Sequence, residues 1–238
     1  MINVRPEGRL GNNIFQYVFA RIVHEETGLA LNYSVGTKFL KTPKIEGVQG
    51  VGEHIVIQDN RGPVVLNDVV SACRGKNVLI HGFFQEKIYY QNRRQNIKQW
   101  LGEIPNSNPK TTGVHIRKGD YKSSKYWDLP DSYFLKAIEE SNPTRLIVFT
   151  DEPNYPLVER LVAMGAILSK SNDAESDMFL LGTCSDIIMS RSTFSWWSGF
   201  LSCASRIYAP RTNVGFWSGC DSVLEIDSNE YRYLNVEL

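Results

Sequence analysis

Neither sign of charge is in excess in this chain: Lys+Arg and Asp+Glu both number 26 in 238 residues. A general nucleic-acid binder carries a positive surplus, so nucleic acid is not an expected partner, and any polyanion held here must be small and gripped locally. Long apolar runs are missing too; none approaches the ~20 residues needed to span a bilayer. The opening MINVRPEGRLGNN lacks the apolar core of a signal peptide. Cysteine is sparse. Cys73, Cys184, Cys203 and Cys220 stand at no metal-ligand spacing and form no disulfide framework. Reduced thiols in a reducing compartment follow, and the expected location is cytoplasmic.

Several motifs are also missing. There is no Asp-x-Asp triplet, HExxH, P-loop or G-x-S-x-G elbow. GRLGNN, Gly8 to Asn13, is a glycine loop without the third glycine of the dinucleotide fingerprint. Such a loop can still bring backbone amides close to a ligand. No metal site is expected, because His24, His54 and His81 are scattered and lack ligating partners nearby in the sequence.

What is present is an alternation of β-rich runs with amphipathic segments. INVR reads as a strand and GRLGN as a loop. NIFQYVFARIVHEET then places Ile14, Val18 and Ile22 at helical spacing, and Gly28 ends it. HIVIQ and NVLIHGFF read as strands, and EKIYYQNRRQNIKQWL as one helix. GEIPNSNPKTTG, rich in Pro, Asn, Ser and Gly, is the best candidate linker. Beyond it, TGVHI, RLIVF, AILS, DIIMS and RIYAP read as strands. DSYFLKAIEES, NYPLVERLVAMG, AESDMFLLGTC and STFSWWSGFLSCA read as the helices between them. Such alternation predicts parallel sheets in two α/β domains, residues 1–105 and 106–238, facing a cleft. Ligands of such sheets sit outside the carboxyl ends of the strands.

Three stretches carry candidate chemistry. GVHIRKGDY, Gly113 to Tyr121, gathers His115, Arg117, Lys118 and Asp120 where a strand ends. An Arg there can fork two hydrogen bonds onto a phosphate, and Asp120 can orient Arg117 or His115 or take a proton. The plainer reading is a surface loop with a local salt bridge. RSTFSWW, from Arg191, opens a helix with Ser192 or Thr193 as its cap, a place that favours an anion or simply caps a helix whose Trp196 and Trp197 enter the core. LIVFTDEPN puts Asp151 and Glu152 at another strand end, as metal ligands, a ribose or base contact, or helix-entry chemistry.

In this order, GRLGNNIFQYVFAR, NVLIHGFFQEKIYY, GVHIRKGDY, LIVFTDE and SDMFLLGTCSDIIMSRSTFSWWSGFL closely resemble the α-1,2-fucosyltransferase family, glycosyltransferase family 11. They are similar also to the wider group that includes the protein O-fucosyltransferases. The resemblance implies the GT-B fold, two Rossmann-like domains, the first for the acceptor and the second for the donor. It implies a donor, GDP-fucose, used without metal or other cofactor and with inversion, and a 2-hydroxyl of a galactoside in a surface glycan as acceptor. Carried over residue by residue, Arg117 would hold the diphosphate and His115 would touch the nucleotide or phosphate. Ser192, Thr193 and Phe194 would cradle the phosphates, and Gly11 and Asn12 would serve the donor, with Asn12 reaching its sugar. Asp120 matches the acidic position of the motif, as base or orienter. The chain departs from the family at Lys118, where Arg is usual, at Asp186, where His is frequent, and at Arg191, where Asn is common. The last two are expected beside the phosphate helix. The chain is also shorter than is usual, chiefly around residues 30–75.

The expected partners are thus a nucleotide-sugar donor and an oligosaccharide or glycolipid acceptor, with at most peripheral membrane contact through a glycolipid. Two other readings compete. One keeps the fold with another GDP-6-deoxyhexose; the other is a non-catalytic nucleotide- or glycan-binding module.

Overall fold

In a computed structural model, residues 1–59, 63–123, 127–171, 173–212 and 224–238 are described, 122 and 123 in backbone only. Cys220 lies outside them. The chain divides into two compact units, Met1–Gly102 and Glu103–Leu238.

The first unit contains β1 (Ile2–Arg5), α1 (Leu10–Thr27), β2 (His54–Gln58), α2 (Leu66–Cys73), β3 (Asn77–His81), α3 (Lys87–Tyr90) and α4 (Arg94–Leu101). Its three strands are parallel, in the order β1-β3-β2. Helix α1 forms because Ile14, Val18 and Ile22, one turn apart, are all buried, and it stops at Gly28, whose φ of 69° suits glycine. Phe19 stacks on Phe84 at 4.0 Å and meets Tyr89 edge-on at 5.0 Å, which places an aromatic core under the sheet. Two expectations need correction. GRLGN is not all loop: Gly8 makes the turn at φ 75°, and α1 begins at Leu10, so Gly11 and Asn12 lie in its first turn. The segment after Gln85 is not one helix, because a 3₁₀ turn at Gln91–Arg93 separates α3 from α4. The Tyr90 hydroxyl donates to Phe84 C=O and the Tyr89 hydroxyl accepts from Val64 N–H, so these rings pin α3 independently of α4, which buries Ile97 and Leu101.

The second unit contains β4 (Asn108–Ile116), α5 (Asp131–Ser141), β5 (Arg145–Thr150), α6 (Pro156–Ala163), β6 (Ile167–Leu168), α7 (Ala174–Gly182), β7 (Cys184–Ile188), α8 (Thr193–Leu201), β8 (Arg206–Thr212) and β9 (Tyr231–Val236). All six strands are parallel, in the order β6-β5-β4-β7-β8-β9. The order runs outward in both directions from the β4–β7 pair. That is the doubly wound Rossmann order, and its reversal point is where ligands of such sheets bind. Alternation in β4 serves both faces. Val114 and Ile116 join the core under α5 and α6, whereas Gly113 and His115 face α7 and α8. A Cβ on Gly113 would meet Leu181 Cδ1 at 2.6 Å, so only glycine lets α7 pack this close. The supposed linker is shorter than its composition suggests. Its last residues, from Asn108, extend β4, and Asn108 Nδ2 donates to Thr183 Oγ1 at 2.7 Å. Ile104 is buried and bridges to Ser202. Among the described residues no helix is long and apolar enough to cross a membrane.

Candidate active site

The carboxyl ends of β4 and β7 lie side by side, with Val114 opposite Ile188. Three residues beyond each of these stand Arg117 and Arg191. Parallel pairing therefore delivers a cation from each strand to one edge of the sheet.

The Arg117 guanidinium is 15% exposed and already engaged. Its Nε and Nη2 donate to Asp120 Oδ1 at 3.0 and 2.6 Å, and its Nη1 lies 3.1 Å from Asp151 Oδ2. It also sits over the Tyr121 ring, 5.4 Å from the centroid. Burial pushes the Tyr121 hydroxyl up to about 12, and the charges of Arg117, Asp120, Arg191 and Asp151 all act on it. Four charges of zero net sign thus surround one ring. Arg191 is only 2% exposed.

Asp151 was read as a metal ligand, a nucleotide contact or a helix-entry residue. Here it clamps the turn after β4: Oδ1 accepts Lys118 N–H at 3.0 Å and Oδ2 accepts Gly119 N–H at 3.1 Å. A Cβ on Gly119 would stand 2.3 Å from that Oδ2, so glycine is required for the carboxylate to approach. Lys118 points away from this edge. Its ammonium is 1% exposed and donates to Asp128 Oδ1 and Leu129 C=O, each at 2.7 Å, with the Tyr155 ring 4.6 Å away. Burial disfavours its charge, but the bonds to Asp128 and Tyr155 outweigh that and leave its pKa raised. The residue that replaces the customary Arg is therefore a core tether.

His115 lies beneath the cluster with its ring 4.7 Å from that of Phe194. Burial first, and then Arg117, lower its pKa to about 3, against a weaker pull from Asp151. It is a neutral imidazole at ordinary pH, and its buried Nδ1 has no hydrogen-bond partner among the described residues. A buried polar atom left so costs free energy unless a ligand completes it.

Helix α8 begins beside it. Ser192 is the N-cap, and its Oγ accepts Phe194 N–H at 3.3 Å. Ser192 N–H is itself given to Ser190 C=O at 2.8 Å, so an anion here would have to displace the cap from Phe194. No acidic residue occupies the first turn, which leaves the positive end of the dipole uncompensated. Trp196 and Trp197 are buried, and Trp196 Nε1 donates to Leu224 C=O at 2.9 Å, which makes them core residues.

Asp186 is not beside this helix, contrary to expectation. It faces Thr112 in the register, and its carboxylate takes Arg206 Nε at 2.9 Å and Nη2 at 2.6 Å. The pair borders a polar hollow of about 370 Å³ with Asn106, Ser141 and Ser205, toward the amino ends of the strands. Among the described residues no group of three His, Cys, Asp or Glu could hold a metal ion.

In the first unit, Gly11 is buried at the start of α1, and Asn12 Oδ1 accepts Gln85 Nε2 at 3.0 Å. The sequence reading missed a chain of side chains at the carboxyl ends of β1, β2 and β3. His81 Nε2 lies 2.6 Å from Glu7 Oε1, and its Nδ1 lies 2.9 Å from Gln58 Nε2. Only the strand-end positions of Gln58 and His81 could have signalled it.

The model of the family described as Glycosyl transferase family 11 matches residues 68–217. An O-antigen biosynthesis glycosyltransferase, WbnK of Escherichia coli, is 33% identical over 114 residues, 40% of this chain and 35% of that protein. The matched part thus spans about a third of the relative's length. No solved structure matches the chain. The family match covers more than half of the residues, including the whole of the β4–α8 edge just described, and the chain belongs to glycosyl transferase family 11.

Proposed function

We propose that the protein is an inverting, metal-independent fucosyltransferase of GT-B type. It moves L-fucose from GDP-β-L-fucose to a hydroxyl, the 2-OH of a galactoside in a surface glycan. The single observation that carries this reading is the delivery of Arg117, Arg191 and the α8 N-terminus to neighbouring strand ends at the order reversal. Cleaving the bond from fucose C1 to GDP leaves negative charge on the β-phosphate, and preorganised cations and N–H groups there are the largest catalytic term.

The two carboxylates on Arg117 divide the work. Asp151 is 22% exposed and holds two backbone N–H groups, so it stays. Asp120 is 50% exposed and binds the guanidinium through one oxygen, so a phosphate can take its place on Nε and Nη2. Asp120 then acts as the counter-ion that orients Arg117 before donor binding. Neutral His115 supplies a hydrogen bond to the nucleotide part through its unsatisfied Nδ1. Ser192, Thr193 and Phe194 offer the helix start to the phosphates, and Gly11 and Asn12 in the first unit serve the donor sugar. The O-antigen role in the relative's name supports a glycan acceptor, lipid-linked or free, met in the cytoplasm.

A second reading keeps the mechanism with another GDP-6-deoxyhexose, and Arg191 favours it, since that buried cation stands at the site where the family more often has Asn. Purified full-length protein given GDP-fucose, GDP-mannose and GDP-rhamnose with lactose distinguishes the two. Turnover of GDP-fucose above the others, unchanged by EDTA, is expected. Preference for another donor installs the second reading, loss of rate in EDTA removes metal independence, and absence of any turnover leaves a binding module.

A further inference from the structure

Among the described residues of the second unit, Trp127 is the one aromatic side chain that stands exposed, at 42%. A single apolar side chain on a surface is ordinary. This one differs in how it is held and in what it adjoins. The two residues after it are fixed from the core. The Lys118 ammonium donates to Asp128 Oδ1 and to Leu129 C=O, each at 2.7 Å, and Leu129 belongs to the core under α5 and α6. The indole itself meets the half-buried Tyr121 ring edge-on, with 5.5 Å between centroids and 62° between planes. Tyr121 in turn lies against the Arg117 guanidinium, whose carbon is 5.4 Å from its centroid. An aromatic surface whose anchors are already set thus adjoins the cation at the end of β4, and a ligand that uses it has little left to order.

This surface and His115 lie toward opposite sides of the sheet. His115, with its unsatisfied Nδ1, faces α7 and α8, whereas the anchor of Trp127 lies on the side of α5 and α6. Arg117 stands between them: it touches Tyr121, and its charge acts on the His115 imidazole. With the nucleotide part at His115 and the diphosphate on Arg117, the sugar on the β-phosphate is directed to the remaining side, toward Tyr121 and Trp127. A galacto-configured ring such as fucose carries the C–H bonds of C3, C4 and C5 on one face, and its C6 methyl extends that apolar patch. The face of an indole is apolar and partly negative, which suits such C–H groups.

We infer that Trp127, braced by Tyr121, is the platform on which the sugar of the donor stacks by its apolar face, and is a specificity-determining residue of the transfer. This rests on the transferase reading above and names the residue that recognises the transferred sugar.

The test titrates GDP-fucose, GDP and lactose, each alone, into the full chain by calorimetry. Trp127→Ala should weaken GDP-fucose about tenfold, the scale of one lost aromatic contact, with GDP affinity and the melting temperature unchanged. Trp127→Phe, which keeps a ring, should retain most of the affinity. Trp127→Leu, which keeps apolar bulk without a ring, should lose most of it and carries the test should Trp127→Ala fail to fold. GDP-fucose affinity within twofold of wild type in a folded Trp127→Ala or Trp127→Leu protein overturns the assignment and leaves the transferase reading intact. An equal loss for GDP moves the ring to the nucleotide, and a loss for lactose alone moves it to the acceptor; either result also overturns it. A wild-type protein that binds neither GDP nor GDP-fucose overturns the transferase reading and this inference with it.

Discussion

The two units finish an inner strand with the same device and put it to different use. Past β2, Asp59 accepts the N–H groups of Phe83 and Phe84, which follow β3. Past β5, Asp151 accepts those of Lys118 and Gly119, which follow β4. In each case a glycine makes room: a Cβ on Gly82 would stand 2.0 Å from Asp59 Oδ1, and one on Gly119 2.3 Å from Asp151 Oδ2. The difference is a cation. Asp59 loses solvation on burial, which raises its pKa against the pull of the amides it holds. Asp151 also holds Arg117 at 3.1 Å. A carboxylate clamping the next strand's turn therefore belongs to the parallel sheet, and the second copy adds a guanidinium to it.

The contrast breaks most sharply at Arg117. Arg117→Ala should lower kcat by about 10²–10³-fold, as loss of one preorganised donor does, and should weaken GDP binding. Asp151 keeps its two backbone bonds in that variant, so the melting temperature should change little. Wild-type activity in a folded Arg117→Ala protein would reduce the second edge to the structural role of the first.

A paired substitution sharpens it. Gly82→Ala and Gly119→Ala should each cost about 1–3 kcal/mol in chemical unfolding, the range for overpacking. Gly82 has a φ of 131°, so backbone strain adds to its loss. Only Gly119→Ala should also weaken GDP binding, because only there does the displaced carboxylate hold the guanidinium that we propose binds the diphosphate. Equal effects on GDP affinity would contradict the assignment of the cation.

The smallest effect is in pH. His115 holds no proton in the folded protein until about pH 3, whereas its ordinary value is 6.5. Below the ordinary value the unfolded chain binds a proton that the folded one refuses, so stability from this group is present above about pH 6.5 and is lost as pH falls toward 3. In His115→Phe the urea midpoint should fall less between pH 7 and pH 5 than in wild type. A parallel decline would mean that the folded state takes up the proton and that burial does not hold the imidazole neutral.

Local features were legible in advance because their causes are local. The i, i+4 apolar residues of α1 and the left-handed Gly28 drew that helix, and DSYFLKAIEES drew α5 to the residue. The Arg117–Asp120 pair lies within one turn, three residues apart, and so could be named from GVHIRKGDY. The linker was overdrawn because polar composition was read as loop, whereas Asn108 and Thr112 satisfy their bonds against β7. Strand β9 was missed: half-buried on an edge, YRYLNV has weak alternation. Lys118 adjoins Arg117 in the chain yet turns to Asp128 and Leu129, a direction that adjacency in GVHIRKGDY does not reveal.

The sequence by itself determined the alternation of strands and helices, the family, and which residues bring charge to the ends of β4 and β7. Only the tertiary structure decided which of those charges meet. Asp151 reaches Lys118 across 33 residues, Arg206 reaches Asp186 across 20, and His81 reaches Glu7 across 74. Such pairs are set by strand order and register, and these emerge when the sheet assembles and buries its faces; no local spacing encodes them.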